Sequence, residues 1–248
     1  EKLHPEVDVE LLILSTDDLK KNLKVAAASQ TLPNFWFNWG GSLGSFYPEN
    51  GLTVDFTPIA EERGWDEIFT ESAIEMCTLD GQLAGVPTQL SSFSFIYYKP
   101  IMEQVGWSEP PTTFEEFEQM LADIKAQGIT PLAMGGKYGW HVMRFIEYLI
   151  EMYCGPEGHD QMTMMTTSWD NEGLVKALEK FKEYCDKGYF PEGFITAEPN
   201  DSRMLLYAGT AAMTVGGASE VAAIKTEGFD INEFGTFNFP GTDGHSRV

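Results

Sequence analysis

The chain carries 38 acidic side chains and four histidines, enough raw material for acid–base or metal chemistry, yet their spacing withholds both. Hydrolysis of a glycosidic bond needs two carboxylates facing each other across about 5–9.5 Å. With so many acids, accidental candidates such as Asp80 or Glu198 are inevitable, and abundance carries no argument. His4, His141, His159 and His245 are scattered without ligand spacing, and there is no His-Glu-x-x-His, Walker loop or Gly-x-Ser-x-Gly elbow. Gly40-Gly41-Ser42-Leu43-Gly44 lacks a following lysine and the dinucleotide pattern, and reads as a turn. Cys77, Cys154 and Cys185 are odd in number and far apart, which fits mostly buried thiols better than a disulfide framework or a zinc knuckle. No catalytic residue, metal or organic cofactor is expected. The chain does offer recognition chemistry: aromatic planes beside short amides and hydroxyls, at Phe35-Trp36-Phe37-Asn38-Trp39, at Gln89-Leu90-Ser91-Ser92, at Gly135-Gly136-Lys137-Tyr138-Gly139-Trp140-His141 and at Gly216-Gly217-Ala218-Ser219-Glu220.

Strands and helices in alternation must position these groups. Residues 7–14 read as a strand, alternating and then continuously apolar. Asp17 or Asp18 can cap a helix with Leu19, Leu23, Ala26 and Ala27 on one face, and residues 34–39 form a short aromatic strand, completing a β-α-β unit. Between Asp80 and Ser92 the glycines and Pro87 punctuate a loop, after which residues 93–98 alternate as a strand. Thr113-Phe114-Glu115-Glu116 spells a capping box, followed by a helix with Phe114, Phe117, Leu121 and Ile124 on its apolar face and Gly128 at its stop. Residues 129–134 read as a strand. Residues 140–153 read as a helix with Met143, Ile146, Leu149, Ile150 and Tyr153 inward, and 171–187 as another with Leu174, Leu178, Phe181 and Cys185 inward. Strands at 210–215 and 235–239 flank a helix at 219–226. The fold class is α/β.

The composition narrows partners. Sixteen basic residues against 38 acidic give a formal charge of -22, which repels phosphate backbones and argues against nucleic acid. No apolar run approaches the ~18 residues needed to span a bilayer.

Several separated signals agree on a family. The opening Glu1-Lys2-Leu3-His4-Pro5 before a Val-x-Val-Glu strand, Asp80-Gly81-Gln82-Leu83-Ala84-Gly85-Val86-Pro87, Tyr97-Tyr98-Lys99, Pro110-Pro111-Thr112-Thr113-Phe114-Glu115-Glu116-Phe117, and Gly209-Thr210-Ala211-Ala212-Met213 followed by Gly216-Gly217 resemble the extracellular solute-binding proteins of ABC sugar importers, the group that includes maltodextrin-binding protein. No single segment is decisive; their order and spacing are.

The resemblance implies a periplasmic-binding-protein-like (class II) two-lobe fold with a hinge and an interlobe cleft. Residues 1–92 would form the N-terminal lobe without its first strand, 93–238 the C-terminal lobe, and 239–248 the start of the return crossing. It implies further chain on both sides: a strand and helix ahead of Glu1 and roughly a domain's worth, about 100 residues, after Val248. It also implies export, either free in the periplasm or lipid-anchored, a carbohydrate ligand, permease subunits as partners, and a monomer. A sugar presents hydroxyl rims and apolar C–H faces, so its site wants an aromatic plane beside short polar groups. On that expectation Trp39 is one stacking plane with Asn38 as a two-way hydrogen-bonder, and Trp36 is a weaker neighbour. Gln89, Ser91 and Ser92 would meet hydroxyls at the crossing. Trp140 is the second plane, with Lys137 nearby; Ser219 stands where many relatives place a tryptophan, and Glu220 can accept from hydroxyls. The alternatives are core tryptophans, hinge hydroxyls capping their own backbone, and a Glu220 that serves the helix dipole. His141 and Arg144 are weaker candidates, an arginine one turn into a helix being usually solvated or salt-bridged. An acidic carbohydrate-active enzyme and a surface lectin are the functional alternatives.

Overall fold

The structure, a computed structural model, describes residues 4–90 and 92–241. The chain divides after Leu90 into two compact units, Glu1–Leu90 and Ser91–Val248. The return crossing expected at 239–248 lies outside the described residues from 242 onward, as do His245 and Ser91.

The first unit contains α1 (Thr16–Ser29), α2 (Ser42–Glu49), α3 (Thr57–Arg63), α4 (Glu71–Cys77) and a hairpin of β1 (Thr78–Leu79) and β2 (Gln82–Leu83). The cap of α1 is Ser15, whose hydroxyl accepts from the Asp18 N–H at 3.2 Å, rather than Asp17 or Asp18. Leu23 and Ala27 on its inner face meet Tyr47 of α2, and Leu19, Leu32, Trp36 and Leu52 close around them. The strands expected at 7–14 and 34–39 do not form; neither segment has a ladder among the described residues, and Leu11, Leu12 and Ile13 are exposed. Alternation and β-branched content describe a surface that fits a sheet, but a strand exists only where a neighbour pairs with it. Gly40 to Gly44, read as a turn, instead runs into α2.

The second unit contains β3 (Ser94–Tyr98), α5 (Lys99–Gln104), α6 (Phe114–Ala126), β4 (Thr130–Leu132), α7 (Trp140–Thr163), α8 (Glu172–Asp186), α9 (Pro199–Tyr207), β5 (Ala211–Gly216), α10 (Ala218–Thr226) and β6 (Phe234–Phe237). The sheet order is β4-β5-β3-β6, with β4 and β5 parallel and the other pairs antiparallel; Phe95 registers with Val215 on one side and Phe237 on the other. Successive residues of β3 point to opposite faces. Phe95 stacks on Phe237 at 5.0 Å and packs among Phe117, Phe145 and Tyr148, while Ile96 joins Ala133, Leu206, Tyr207, Ile224 and Phe234. With both faces covered, β5 is buried along its whole length.

The box at the start of α6 is complete. Thr113 Oγ1 accepts from the Glu116 N–H at 3.1 Å, and the Glu116 carboxylate accepts from the backbone N–H groups of Thr112 and Thr113. Those donors, led by Thr112, hold Glu116 below the usual carboxylate range. Behind the cap, Phe114, Phe117, Met120, Leu121 and Ile124 are buried. Thr113→Ala is expected to lower stability by about 1 kcal/mol, read as an earlier urea midpoint, with Thr113→Ser restoring most of it. An unchanged midpoint would show that Thr112 and Glu116 hold the helix start without Thr113.

Two inward stripes differ from their spacing. In α7 the buried residues before Gly155 are His141, Val142, Phe145, Tyr148, Leu149 and Ile150, with Met162 buried beyond it, while Met143 is exposed; the helix runs past Tyr153 and breaks at Gly155 (φ 72°) before Pro156. In α8 the fully buried positions are Ala177 and Tyr184, with Leu174, Phe181 and Cys185 partly buried and Leu178 exposed. Tyr184 takes the core position because its hydroxyl finds an acceptor, Glu118 Oε1 at 3.1 Å, so the ring can be buried without stranding its polar tip.

Candidate functional site

In the first unit the aromatic segment before α2 divides its side chains. Trp36 turns into the core against Tyr47, with ring centroids 5.5 Å apart. Trp39 stays half-buried, with Phe37 edge-on at 5.1 Å and the Lys20 ammonium 4.8 Å from its ring centroid. Asn38 beside it is also half-buried, and Gln89 and Ser92 are exposed. Both tryptophans are half-buried; Trp36 packs on the Leu23, Ala27 and Tyr47 cluster, whereas Trp39 meets Phe37 and Lys20.

In the second unit the site is built where β4 gives way to α7. A Cβ on Gly135 would lie 2.7 Å from the Glu198 carbonyl oxygen, and one on Gly136 would lie 2.9 Å from Ile195 Cα, so only glycine lets this turn lie against the 194–198 segment. The contact is fastened by the Gly136 N–H donating to Phe194 O at 2.7 Å and the Lys137 N–H to Ala197 O at 3.2 Å. Lys137 Nζ and the Tyr138 hydroxyl both donate to Glu198 Oε1, and the carboxylate raises the Lys137 pKa above the ordinary lysine value. Lys137 is therefore committed to an exposed ion pair with Glu198.

Beneath the turn, His141 is fully buried and its protonation is fixed by its neighbours. The Gly135 N–H donates to Nδ1 at 3.2 Å, so Nδ1 is the unprotonated nitrogen. Nε2 then donates to Thr214 Oγ1 at 2.9 Å, and that hydroxyl donates to Ala133 O at 2.7 Å. Burial, with the Arg203 and Arg144 charges adding to it, pushes His141 down to about 3. It is a neutral strut between β4, β5 and α7.

Trp140, half-buried at the first turn of α7, forms the exposed side of this construction. The Arg144 guanidinium sits 4.6 Å from the Trp140 ring and 4.2 Å from the Phe93 ring, and Arg203 approaches Trp140 at 5.9 Å. The Tyr148 hydroxyl, one turn further along α7, donates to Phe93 O at 2.8 Å and ties the start of β3 to the same helix. Arg203 reaches Glu220 Oε2 at 3.0 Å and also bonds Asn200, while the Tyr207 hydroxyl donates to Glu220 Oε1.

Two expectations change on this geometry. Glu220 is fully buried with both oxygens engaged by Arg203 and Tyr207, so it acts inside the protein and does not offer an acceptor at the surface. Arg144 is half-buried and, among the described residues, makes no salt bridge; its guanidinium lies against the Phe93 and Trp140 rings. Ser219, at the start of α10, is exposed. Sequence reasoning passed over Arg203 and Tyr207. Their i, i+4 spacing was the available signal, since on a helix it sets both on one face toward a shared acceptor.

Among the described residues no group of three or more His, Cys, Asp or Glu side chains could hold a metal ion. No helix among them is long and apolar enough to cross a membrane.

Comparison with known proteins places this architecture. The chain is 26% identical over 205 residues to a "Probable sugar-binding periplasmic protein" of Mesorhizobium japonicum, covering 80% of this chain and 48% of that protein. It thus spans about half the length of the curated relatives it matches. Among solved structures, a chitin oligosaccharide binding protein matches with a TM-score of 0.87 and 26% identity over 99% of this chain and 62% of its own. A protein from work on xylan utilization by the thermophilic bacterium Caldanaerobius polysaccharolyticus matches with a TM-score of 0.90 and 22% identity, covering 98% of this chain and 62% of its own. These likenesses identify the mixed α/β units as periplasmic-binding-protein-like. The family model for bacterial extracellular solute-binding proteins matches residues 1–246, and the chain belongs to that family.

Proposed function

We propose that this chain is part of the substrate-binding component of an ABC importer and captures a sugar or oligosaccharide for delivery to membrane permease subunits. The observation that carries the reading is Trp140, a half-buried indole at the start of α7 with cations and a glycine-packed turn holding it in place. An indole face suits the apolar C–H face of a pyranose, and fixing it in advance lowers the cost of binding. Trp39, with Asn38 beside it, is the corresponding plane of the first unit. The names of relatives that bind sugars support the ligand class. Ligand touching both lobes would favour a closed form by its differential affinity, and closure is the state a permease would read. The protein works outside the cytoplasm, free or lipid-anchored, as a monomer.

Trp39→Ala and Trp140→Ala are each expected to weaken saccharide binding by about 1–3 kcal/mol, measured by calorimetry on the protein at its natural length. Unchanged affinity in both variants would remove these platforms from the site. Recovering the bound sugar intact separates capture from hydrolysis; appearance of cleaved product would favour the enzyme reading instead.

A further inference from the structure

Two guanidinium groups approach Trp140, and they are not equivalent. Arg203 is committed, with Glu220 at 3.0 Å and Asn200 as a second acceptor. Arg144 is half-buried and, among the described residues, has no ion-pair partner and no hydrogen-bond acceptor; its contacts are the faces of Phe93 and Trp140. Attraction to a ring face consumes none of the five N–H donors of a guanidinium. The nearby carboxylates Glu220 and Glu147 act on it from a distance, and among the described residues neither forms an ion pair with it. Glu220 is engaged by Arg203 and Tyr207, and Glu147 acts on Arg144 through its charge alone, with no ion pair or hydrogen bond to it among the described residues. Burial also lowers Arg144 to about 10, despite the opposing influence of Glu220, as expected of a cation whose solvation is incompletely replaced.

We propose that the saccharide taken at Trp140 is acidic, with a carboxylate on the sugar received by Arg144. The inference rests on the sugar-binding reading above. A neutral hydroxyl could accept from Arg144 but would leave it without a direct ion-pair partner. A carboxylate does both, and its two oxygens match the fork of a guanidinium. A single cation without an ion pair also matches a monoanion better than a phosphate ester, whose second charge would add to a chain already at -22. Phe93 and Trp140 would flank the carboxylate's anchor with apolar surface, fixing the acidic sugar unit at this end of the ligand.

The test uses the protein at its natural length and a panel of oligosaccharides in matched pairs that differ only at C6, as neutral hydroxymethyl or as uronate. The expected result is at least tenfold tighter binding of the acidic member of a pair. That preference should shrink in 0.5 M salt, roughly a Debye length of a few ångströms, and disappear in Arg144→Gln. Arg144→Lys, which keeps the charge without the fork, should retain part of it. Neutral members binding as tightly as their uronate counterparts would overturn the proposal and leave sugar capture standing. A preference that survives Arg144→Gln would move the anion site elsewhere and overturn it as well. Failure of every saccharide, acidic and neutral, would overturn the sugar-binding reading itself. If Arg144→Gln does not fold, the wild-type pair comparison and its salt dependence still decide.

Discussion

Taking the protein from pH 7 to pH 4 is expected to cost the second unit on the order of 3 kcal/mol through His141 alone. The folded-state value is lowered to about 3, whereas the unfolded chain has the ordinary value near 6.5. As pH falls below about 6.5 the unfolded chain takes up the proton first, so the contribution is fully present above that value and drains away toward pH 3. The cause is structural: protonating Nδ1 would set two hydrogens against each other at the Gly135 N–H and place a charge in a buried position near Arg203 and Arg144. Other groups titrate over the same range, so the informative quantity is a difference. His141→Gln cannot ionise, and its loss of stability between pH 7 and pH 4 should be smaller than that of wild type by the stated amount, read from urea midpoints or from amide exchange along β5. An imidazole NMR titration of His141 centred near 6.5 in the folded protein would refute the argument.

Glu220→Ala is expected to destabilise the same unit by about 3 kcal/mol, the lower end of the range for breaking a buried pair. Glu220 is wholly sheltered, and its partner Arg203 keeps 19% of its side-chain exposure, which lets water soften the loss. Removing the carboxylate strands the Arg203 charge and takes away the acceptor of the Tyr207 hydroxyl, whose own pKa burial and Glu220 raise well above the ordinary tyrosine value. Replacing both members, Glu220→Leu with Arg203→Met, should recover most of the stability, because two well-packed apolar side chains avoid the desolvation that the pair must offset. Exposed pairs such as Lys182 with Asp186 set the scale for comparison, at about 0.3–0.5 kcal/mol each. A loss below 1 kcal/mol for Glu220→Ala would mean that Arg203 finds solvent when released. A large loss that the double replacement does not repair would assign the cost to packing instead.

The local grammar of the second unit was legible because its elements carry their own instructions. Thr113 and Glu116 announce a helix start, and residues 94–98 and 211–216 form strands where aromatic and β-branched runs predict them. In the first unit the same reading fails at 7–14 and 34–39, where pattern without pairing gives no strand. The Asp80-Gly81 turn is readable in the sequence, but glycines and Pro87 spread the turn signal over the whole loop; both residues have positive φ, 51° and 74°, as an Asp-Gly turn between short strands requires. In the candidate site, Trp39 and Trp140 could be placed from the sequence at element ends, which is as far as the sequence carries the proposed planes. The roles of Glu220 and Arg144 could not, because they depend on which of two arginines, 59 positions apart, reaches the carboxylate that is fully buried among the described residues. That choice is made by the packing of α7, α9 and α10 around the sheet, and no local window of sequence contains it.

The close fit of Gly135 and Gly136 against the 194–198 backbone has a practical consequence for anyone who wishes to retarget this protein by laboratory evolution. A randomised library across this turn would waste most of its members if it varied the two glycines, since any side chain there pushes the turn off its seat and displaces the indole with it. Diversity belongs at Lys137 and Tyr138, whose side chains end on a shared acceptor, and at Ser219, which is open to solvent. Screening those three positions on a fixed glycine pair would probe the proposed saccharide site while preserving the turn that carries Trp140.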